Sequence, residues 1–434
     1  MKGKNTALII FGIIYVSVFA SSAWLLDLSE DNQEIQQVQI GVMSPSDEMF
    51  SKYHFIAEIA QEGINDYCNQ SGLNQRFEFT LSNADGDPEN AYEITKNYHE
   101  EGVNLIVGYG WNSHLNASLE YAMENDMVLV SPSSNSPLFS KQDSCYRLLP
   151  DDQREAKAIA NMIINYGVDT IIILQRKGSW GKNMAESFLW EYRANGGEVT
   201  DWISYPAEDT YDISESLDRA SKMVFDSIKY RGNDRVGVLL IALEEASTIL
   251  LESEKFTVLL NVTWFGTEIT TLDPAILQNA GPSASRVALL GPLNTHIYNE
   301  DYQEINKHYY SKFGEPLDFS TANVYDGCWL IALSVLEAES VNGADVSEVF
   351  GNVAYKHYGI TGPLDLNEDG DRSWIRYYFY GYYDVKGTIV CFRAGGYTRL
   401  EKYGKQGSSI FQSPYDVPYD NFPYYIWEKQ YESK

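Results

Sequence analysis

The sequence predicts an α/β fold in which parallel sheets are covered by helices on both faces. Two observations carry this. Short, almost wholly apolar segments recur along most of the chain, and amphipathic segments with helical spacing separate them. The first apolar segment is VQIGVM, from Val38. The next segment places Phe55, Ile56, Ile59, Ala60, Ile64 and Tyr67 on one helical face and stops at Gly72. RFEFTL alternates as a strand does, and DPENAYEITKNYHEEG is a helix with Pro88 in its first turn and Gly102 at its end. NLIVG, a helix over about 116–125 and MVLVS follow. The alternation resumes with DTIIILQ, NMAESFLWEYRANGG, RVGVLLIAL, EEASTILLESEKF, VTWFGTE and RVALLG.

In such sheets small ligands sit outside the carboxyl ends of the strands. The stretch SPSSNSP (Ser131–Pro137) stands there after MVLV, and NSH (Asn112–His114) stands just beyond LIVGYGW. Both put short, uncharged hydrogen-bonding groups where a polar ligand would lie, although serine, asparagine and proline also make good turns.

At 434 residues and 44% hydrophobic composition the chain is long enough for two or three domains with substantial cores. Its formal charge of −29 opposes binding to nucleic acid or to an anionic membrane surface, both of which need a positive footprint. Ala7–Leu26 is free of charge, is preceded by Lys2 and Lys4, and is followed by Asp27, Glu30 and Asp31. That pattern reads as a membrane anchor with the body outside the cytoplasm, and Ser21–Ala23 offers a signal-cleavage site as the alternative. The four cysteines, Cys68, Cys145, Cys328 and Cys391, form no CxxC, and their pairing is not deducible. Sequons at Asn69, Asn116 and Asn261 agree with an extracytoplasmic body.

Five segments, in this order and spacing, carry a resemblance: NADGDPENAYEITKNYHEEGVNLIVGYGWNS, MVLVSPSSNSP, YRLLPDDQREAKAIANMI, SWGKNMAESFLWEYRANGGEV and GITGPLDLNEDGDR. With them the chain resembles the type I extracytoplasmic solute-binding proteins of ABC importers, in the leucine/isoleucine/valine-binding family. The resemblance spans roughly Val38 to Leu400. It implies a two-lobed, periplasmic-binding-protein-like type I fold with three crossovers, placed near Tyr146–Leu149, Leu290–Pro292 and Thr361–Pro363. Residues 1–37 would be the signal or anchor and its linker. One lobe would join 38–148 to 291–361 and the other 149–290 to 362–400, with 401–434 as an extension, either an ordered wrap or a flexible tail.

Carried over residue by residue, the resemblance places the carboxylate of an amino-acid ligand at Asn112 or Ser113. It adds the next loop at Ser133, Ser134 and Asn135, an aromatic from the first lobe at Phe50 and an aromatic lid at Trp180. The acceptor for the ligand's ammonium group falls at Glu268, for which a solvated strand-end residue is the plain alternative. Leu243 departs from the polar ring that many relatives place there. The implied partners are a small-molecule ligand, an amino acid or amide, and the permease subunits of an importer, with the binding protein a monomer that uses no cofactor and is not an enzyme. A ligand sensor of the same fold is the alternative function. DLNEDGDR (Asp365–Arg372) alternates carboxylates as calcium loops do, but the twelfth position is Arg376, and Asn, Asp and Gly also build tight turns.

Overall fold

A computed structural model describes residues 36–206, 212–295, 299–400 and 408–411. The expected anchor at Ala7–Leu26 lies outside the described residues. Among the described residues no helix is long and apolar enough to cross a membrane.

The chain first builds one lobe. Strands β1 (Gln36–Ser44), β2 (Gln75–Asn83), β3 (Leu105–Val107), β4 (Val128–Ser131) and β5 (Cys145–Arg147) form a parallel sheet in the order β2-β1-β3-β4-β5. Between them run helices α1 (Asp47–Gln70), α2 (Pro88–Glu100) and α3 (Asn112–Glu124). The second of these starts as the sequence requires, with Asp87 accepting the Glu89 N–H at 3.0 Å and Pro88 in the first turn. The third begins earlier than the expected 116–125. Tyr109 takes a left-handed φ of 60°, which turns the chain at the end of β3 and brings Asn112 into the first helical turn. NSH is therefore a helix start and not a loop.

The second lobe follows with α4 (Asp152–Tyr166), β6 (Thr170–Arg176), α5 (Ser179–Ala194), β7 (Glu198–Tyr205), α6 (Ser214–Arg231), β8 (Val236–Ile241), α7 (Ala246–Ser253), β9 (Thr263–Gly266), α8 (Gly281–Arg286) and β10 (Leu290–Asn294). RVALLG was expected as a strand, yet Arg286–Ala288 turn out of a helix first, with Ala288 at φ 47°, and pairing begins only at Leu290. The chain then returns: α9 (Glu300–Phe313), α10 (Phe319–Ala338) and α11 (Gly343–Lys356) join α1 over one face of the first sheet. Tyr309, Leu330 and Phe350 share its core with Val42, Ile56 and Val107. A short hairpin, β11 (Tyr358–Gly359) with β12 (Gly362–Pro363), leads back to the second lobe.

There the chain adds antiparallel strands that the sequence reading did not anticipate. Strands β13 (Trp374–Val385), β14 (Thr388–Leu400) and β15 (Ser408–Phe411) extend the second sheet to the order β15-β14-β13-β10-β9-β8-β6-β7. The β13–β14 turn is Lys386-Gly387 with φ of 55° and 89°, the double positive φ that matches the strand twist in a two-residue hairpin. Tyr377 and Phe379 point into one face of this sheet and Tyr382 into the other. Part of the C-terminal extension, β15, is thus an added edge strand.

One buried guanidinium ties the passages between lobes together. Arg372 donates to the carbonyls of Leu148, Thr361 and Pro363, and to Thr361 Oγ1 and Asn323 Oδ1, at 2.8–3.2 Å. Asp326, equally buried, accepts the Ile360 and Thr361 N–H groups and the Thr361 hydroxyl. Burial pulls the Arg372 pKa down to about 10, against the opposing pull of Asp326. Beside it Arg147 pairs with Asp371 at 2.6 Å, both side chains 1% exposed. Removing one member of such a buried set strands the rest, at about 3–5 kcal/mol. Arg372→Met is therefore expected to lower unfolding free energy by about that amount in urea titrations; an unchanged midpoint would show that the crossovers hold without it.

Candidate functional site

The first-lobe half of the site stands on the carboxyl ends of β3 and β4. Tyr109 is held in its left-handed conformation by a fully buried ring whose hydroxyl meets Thr95 Oγ1 at 2.8 Å. A bulky residue there carries strain of order 1–3 kcal/mol. Two neighbouring hydroxyls fix the strained turn. Ser131 donates to the Tyr109 carbonyl at 3.0 Å and Ser133 to the Gly110 carbonyl at 2.9 Å. A Cβ on Gly110 would stand 3.0 Å from both Ser133 Oγ and the Tyr53 hydroxyl, so a side chain there would have to push those two groups aside.

Asn112 organises the loop. Its Oδ1 accepts the Ser134 hydroxyl at 2.6 Å and the Ser136 N–H at 3.2 Å, and its Nδ2 donates to Asn135 Oδ1 at 3.2 Å. Ser134 is fully buried, Ser133 and Asn135 are half-buried, and Ser113 is exposed. Trp111 occupies the N-cap of α3 without a side-chain cap, so the first-turn N–H groups leave a positive helix end beside these residues. The resemblance implied a cradle of hydroxyls open to a carboxylate. Two of the hydroxyls, on Ser133 and Ser134, are instead spent on Gly110 and Asn112, and that internal bonding is what holds the loop in shape.

The second-lobe half is acidic. Asn135 reaches across with its carbonyl, which accepts the Asp152 N–H at 2.9 Å at the start of α4. One turn on, Glu155 Oε1 accepts the Glu268 N–H at 2.7 Å. Glu268 opens a 3-10 turn, Glu268–Thr270, just past β9, and Asn294 Nδ2 donates to its Oε2 at 3.1 Å. Glycines seat this turn: a Cβ on Gly266 would lie 1.9 Å from Thr270 Oγ1, and one on Gly291 would lie 2.3 Å from Thr271 Oγ1. Glu268 keeps part of its surface open, whereas Asp152 and Glu155 are buried. Burial first, and then the neighbouring charge of Glu268, push the carboxyls of Asp152 and Glu155 well above the usual carboxylate range. Burial raises Glu268 as well, and the Asn294 amide opposes it.

The remaining expectations fall at the margins. Phe50 is half-buried in the first turn of α1, with its ring 6.4 Å from that of His54. Trp180, near the start of α5, is partly covered by the core of the second sheet. DLNEDGDR is a turn: Asn367 Oδ1 accepts the N–H groups of Asp369 and Asp371, and Asp371 belongs to Arg147. Among the described residues no three or more His, Cys, Asp or Glu side chains are placed to hold a metal ion. The four cysteines are free thiols. Sequence reasoning missed Asp152, Glu155 and Tyr377. Two acids three apart, at the start of a helix whose other face is apolar, were the available signal for the first two.

The chain matches the family model of the receptor family ligand binding region over residues 57–383. An uncharacterised protein of Methanocaldococcus jannaschii is 26% identical over 338 residues, which cover 73% of this chain and 79% of that protein. An ABC transporter substrate-binding protein from Desulfitobacterium hafniense, solved in complex with Leu, aligns with a TM-score of 0.63 at 17% identity, over 82% of this chain and 100% of that one. A solute-binding protein of an ABC transporter from R. palustris, in complex with benzoate, aligns with a TM-score of 0.57 at 16% identity, over 82% and 96%. The chain belongs to the receptor family ligand binding region family, and its fold is the type I fold of periplasmic binding proteins, shared with the Leu/Ile/Val-binding proteins of ABC transporters.

Proposed function

We propose that this protein binds an α-amino acid between its lobes, outside the cytoplasm, and delivers it as a monomer to the permease subunits of an ABC-type importer. One juxtaposition carries the reading. An uncharged, donor-rich helix end and loop on the first lobe adjoin a carboxylate, Glu268, on the second that ends beside an amide and no cation. A zwitterion supplies both missing charges. Its carboxylate would take the first-turn N–H groups of α3 with Ser113 and the backbone of the loop that carries Ser133, Ser134 and Asn135, while Asn112 and the two serine hydroxyls hold that loop in place. Its ammonium would pair with Glu268. Phe50 and Trp180 would wall the side chain. The D. hafniense relative, solved with Leu, supports an amino acid, and the benzoate complex marks a ligand without an amino group as the competing class.

The moving bodies would be 38–148 with 291–361 and 149–290 with 362–400, with the strand Leu290–Asn294, which pairs with β9 and β13, moving with the second sheet. Closure by hinge motion follows from this division.

Three measurements test the reading. Glu268→Gln keeps size and removes charge, so amino-acid affinity should fall by about 2–5 kcal/mol, roughly 30- to several thousand-fold, by calorimetry. Ser133→Ala should cost only about 1 kcal/mol, since backbone groups still line the loop. Undiminished binding by Glu268→Gln, or a wild type that accepts only ligands without an amino group, defeats the assignment. Solution scattering of the full-length protein should show a smaller radius with ligand; binding at constant radius speaks against closure.

A further inference from the structure

Glu268 suffices for one ammonium group, yet the second-lobe half of the site holds more acid than that. Asp152 and Glu155 are 2% and 3% exposed. The nearby arginines are engaged elsewhere: Arg147 with Asp371, Ser136 and Ser140, and Arg154 with Asp151. Asp152 Oδ1 has no hydrogen-bond partner among the described residues.

A second, independent group points into the same place. Tyr377, on β13, is fully buried and its hydroxyl has no hydrogen-bond partner among the described residues. It stands directly opposite Asn294 in the β10–β13 register. Opposed residues in an antiparallel pair project from the same face, and the Asn294 side chain on that face touches Glu268. Tyr377 also packs in the core cluster that contains Ala156, Ala158 and Ile159 of α4, the helix that carries Asp152 and Glu155. A buried phenol oxygen without a donor among the described residues, beside three carboxyls whose neighbouring arginine, Arg147, is already paired with Asp371, is an acceptor set of a kind that a protein interior does not leave empty at no cost.

We infer that Asp152, Glu155 and Tyr377 form a second cationic subsite next to Glu268, and that the solute is an amino acid bearing an additional positive charge on its side chain. This rests on the amino-acid reading above and narrows it to the diamino-acid class. In the free protein, protons stand in for the absent cation. The groups facing the subsite are Asp151 at the N-cap of α4, Asp152 and Glu155 within it, Glu268 from its turn, Tyr377 from β13 and Arg147 from the end of β5; only the last is positive, and it is bound to Asp371. The side-chain cation of a diamino acid should displace those protons, so its affinity should climb with pH more steeply than that of a neutral amino acid.

The test is calorimetry on the full-length protein with L-lysine, Nε-acetyl-L-lysine, L-leucine and 1,4-diaminobutane. L-lysine is expected to bind at least about tenfold tighter than its acetylated form, and Glu155→Gln or Asp152→Asn should each shrink the lysine-to-leucine affinity ratio by about tenfold or more. Equal affinity for lysine and acetyl-lysine, or a ratio that survives both substitutions, overturns the subsite. Tight binding of the diamine with no need for a carboxylate supports the subsite and defeats the amino-acid reading. Binding of leucine alone does the reverse, and binding of none of the four defeats both. Folding of the variants is checked by melting without ligand. An unfolded carboxyl releases its proton near pH 4, whereas Glu155 in the folded state keeps its own to higher pH, so the contribution of Glu155 to ligand-free stability falls as pH rises above about 4. Glu155→Gln should then melt higher than wild type at pH 7 and equal to it near pH 4; a lower melting point at pH 7 would mean the protein already compensates that charge, against the inference.

Discussion

The structure hangs on the desolvated guanidinium of Arg372. A type I two-lobed chain crosses between its sheets more than once, and each crossing leaves backbone carbonyls in a place that water reaches poorly. Arg372 gathers those of Leu148, Thr361 and Pro363 onto one planar group. Its fixed fork of donors can do this, where a lysine could not. Asp326 on α10 supplies the opposite charge and, through the Thr361 hydroxyl, shares a partner with it. Asn323, one turn earlier on the same helix, joins Arg372 to the Pro132 carbonyl, so the same network reaches the SPSSNSP loop.

That continuity explains why the site's loops are so short and so closely bonded. SPSSNSP is clamped from behind by Asn323 and from the side by Asn112, and the strained Tyr109 turn is locked by Ser131. Little is left to order when a solute arrives, which lowers the entropic cost of binding. On the other lobe the Glu268 turn lies against two glycines that leave no space for a methyl group. Rigid presentation of a carboxylate matters more than its mere presence, since a charge free to swing into water would lose most of its pull on a cation.

The acidic half of the site shows how burial changes the meaning of a charge. Most of the chain's excess negative charge is solvated and serves solubility. Asp152 and Glu155 have the same side-chain chemistry but no water, so each is a demand for a proton or a cation.

Apolar runs such as DTIIILQ and RVGVLLIAL, bounded by amphipathic segments, determined by themselves that the fold is α/β with parallel strands, because period and length suffice to separate such strands from helices. The order of motifs from NADGDPEN to GITGPLD likewise pointed to two lobes, and it brought Asn112, Ser133, Ser134, Asn135 and Glu268 forward together. The β13–β14 hairpin was equally legible, in the tyrosine alternation around Lys386-Gly387, but its strands were not read. Tertiary structure alone decided the rest. It turned Asn112 and the serine hydroxyls inward to hold the loop, and it made Arg372 a buried tie between distant backbone segments instead of a loop residue. It set Tyr377 opposite Asn294, within reach of acids more than a hundred positions earlier. Such roles depend on which groups lose their water together, and that is a property of packing between distant segments, which no local pattern of residues encodes.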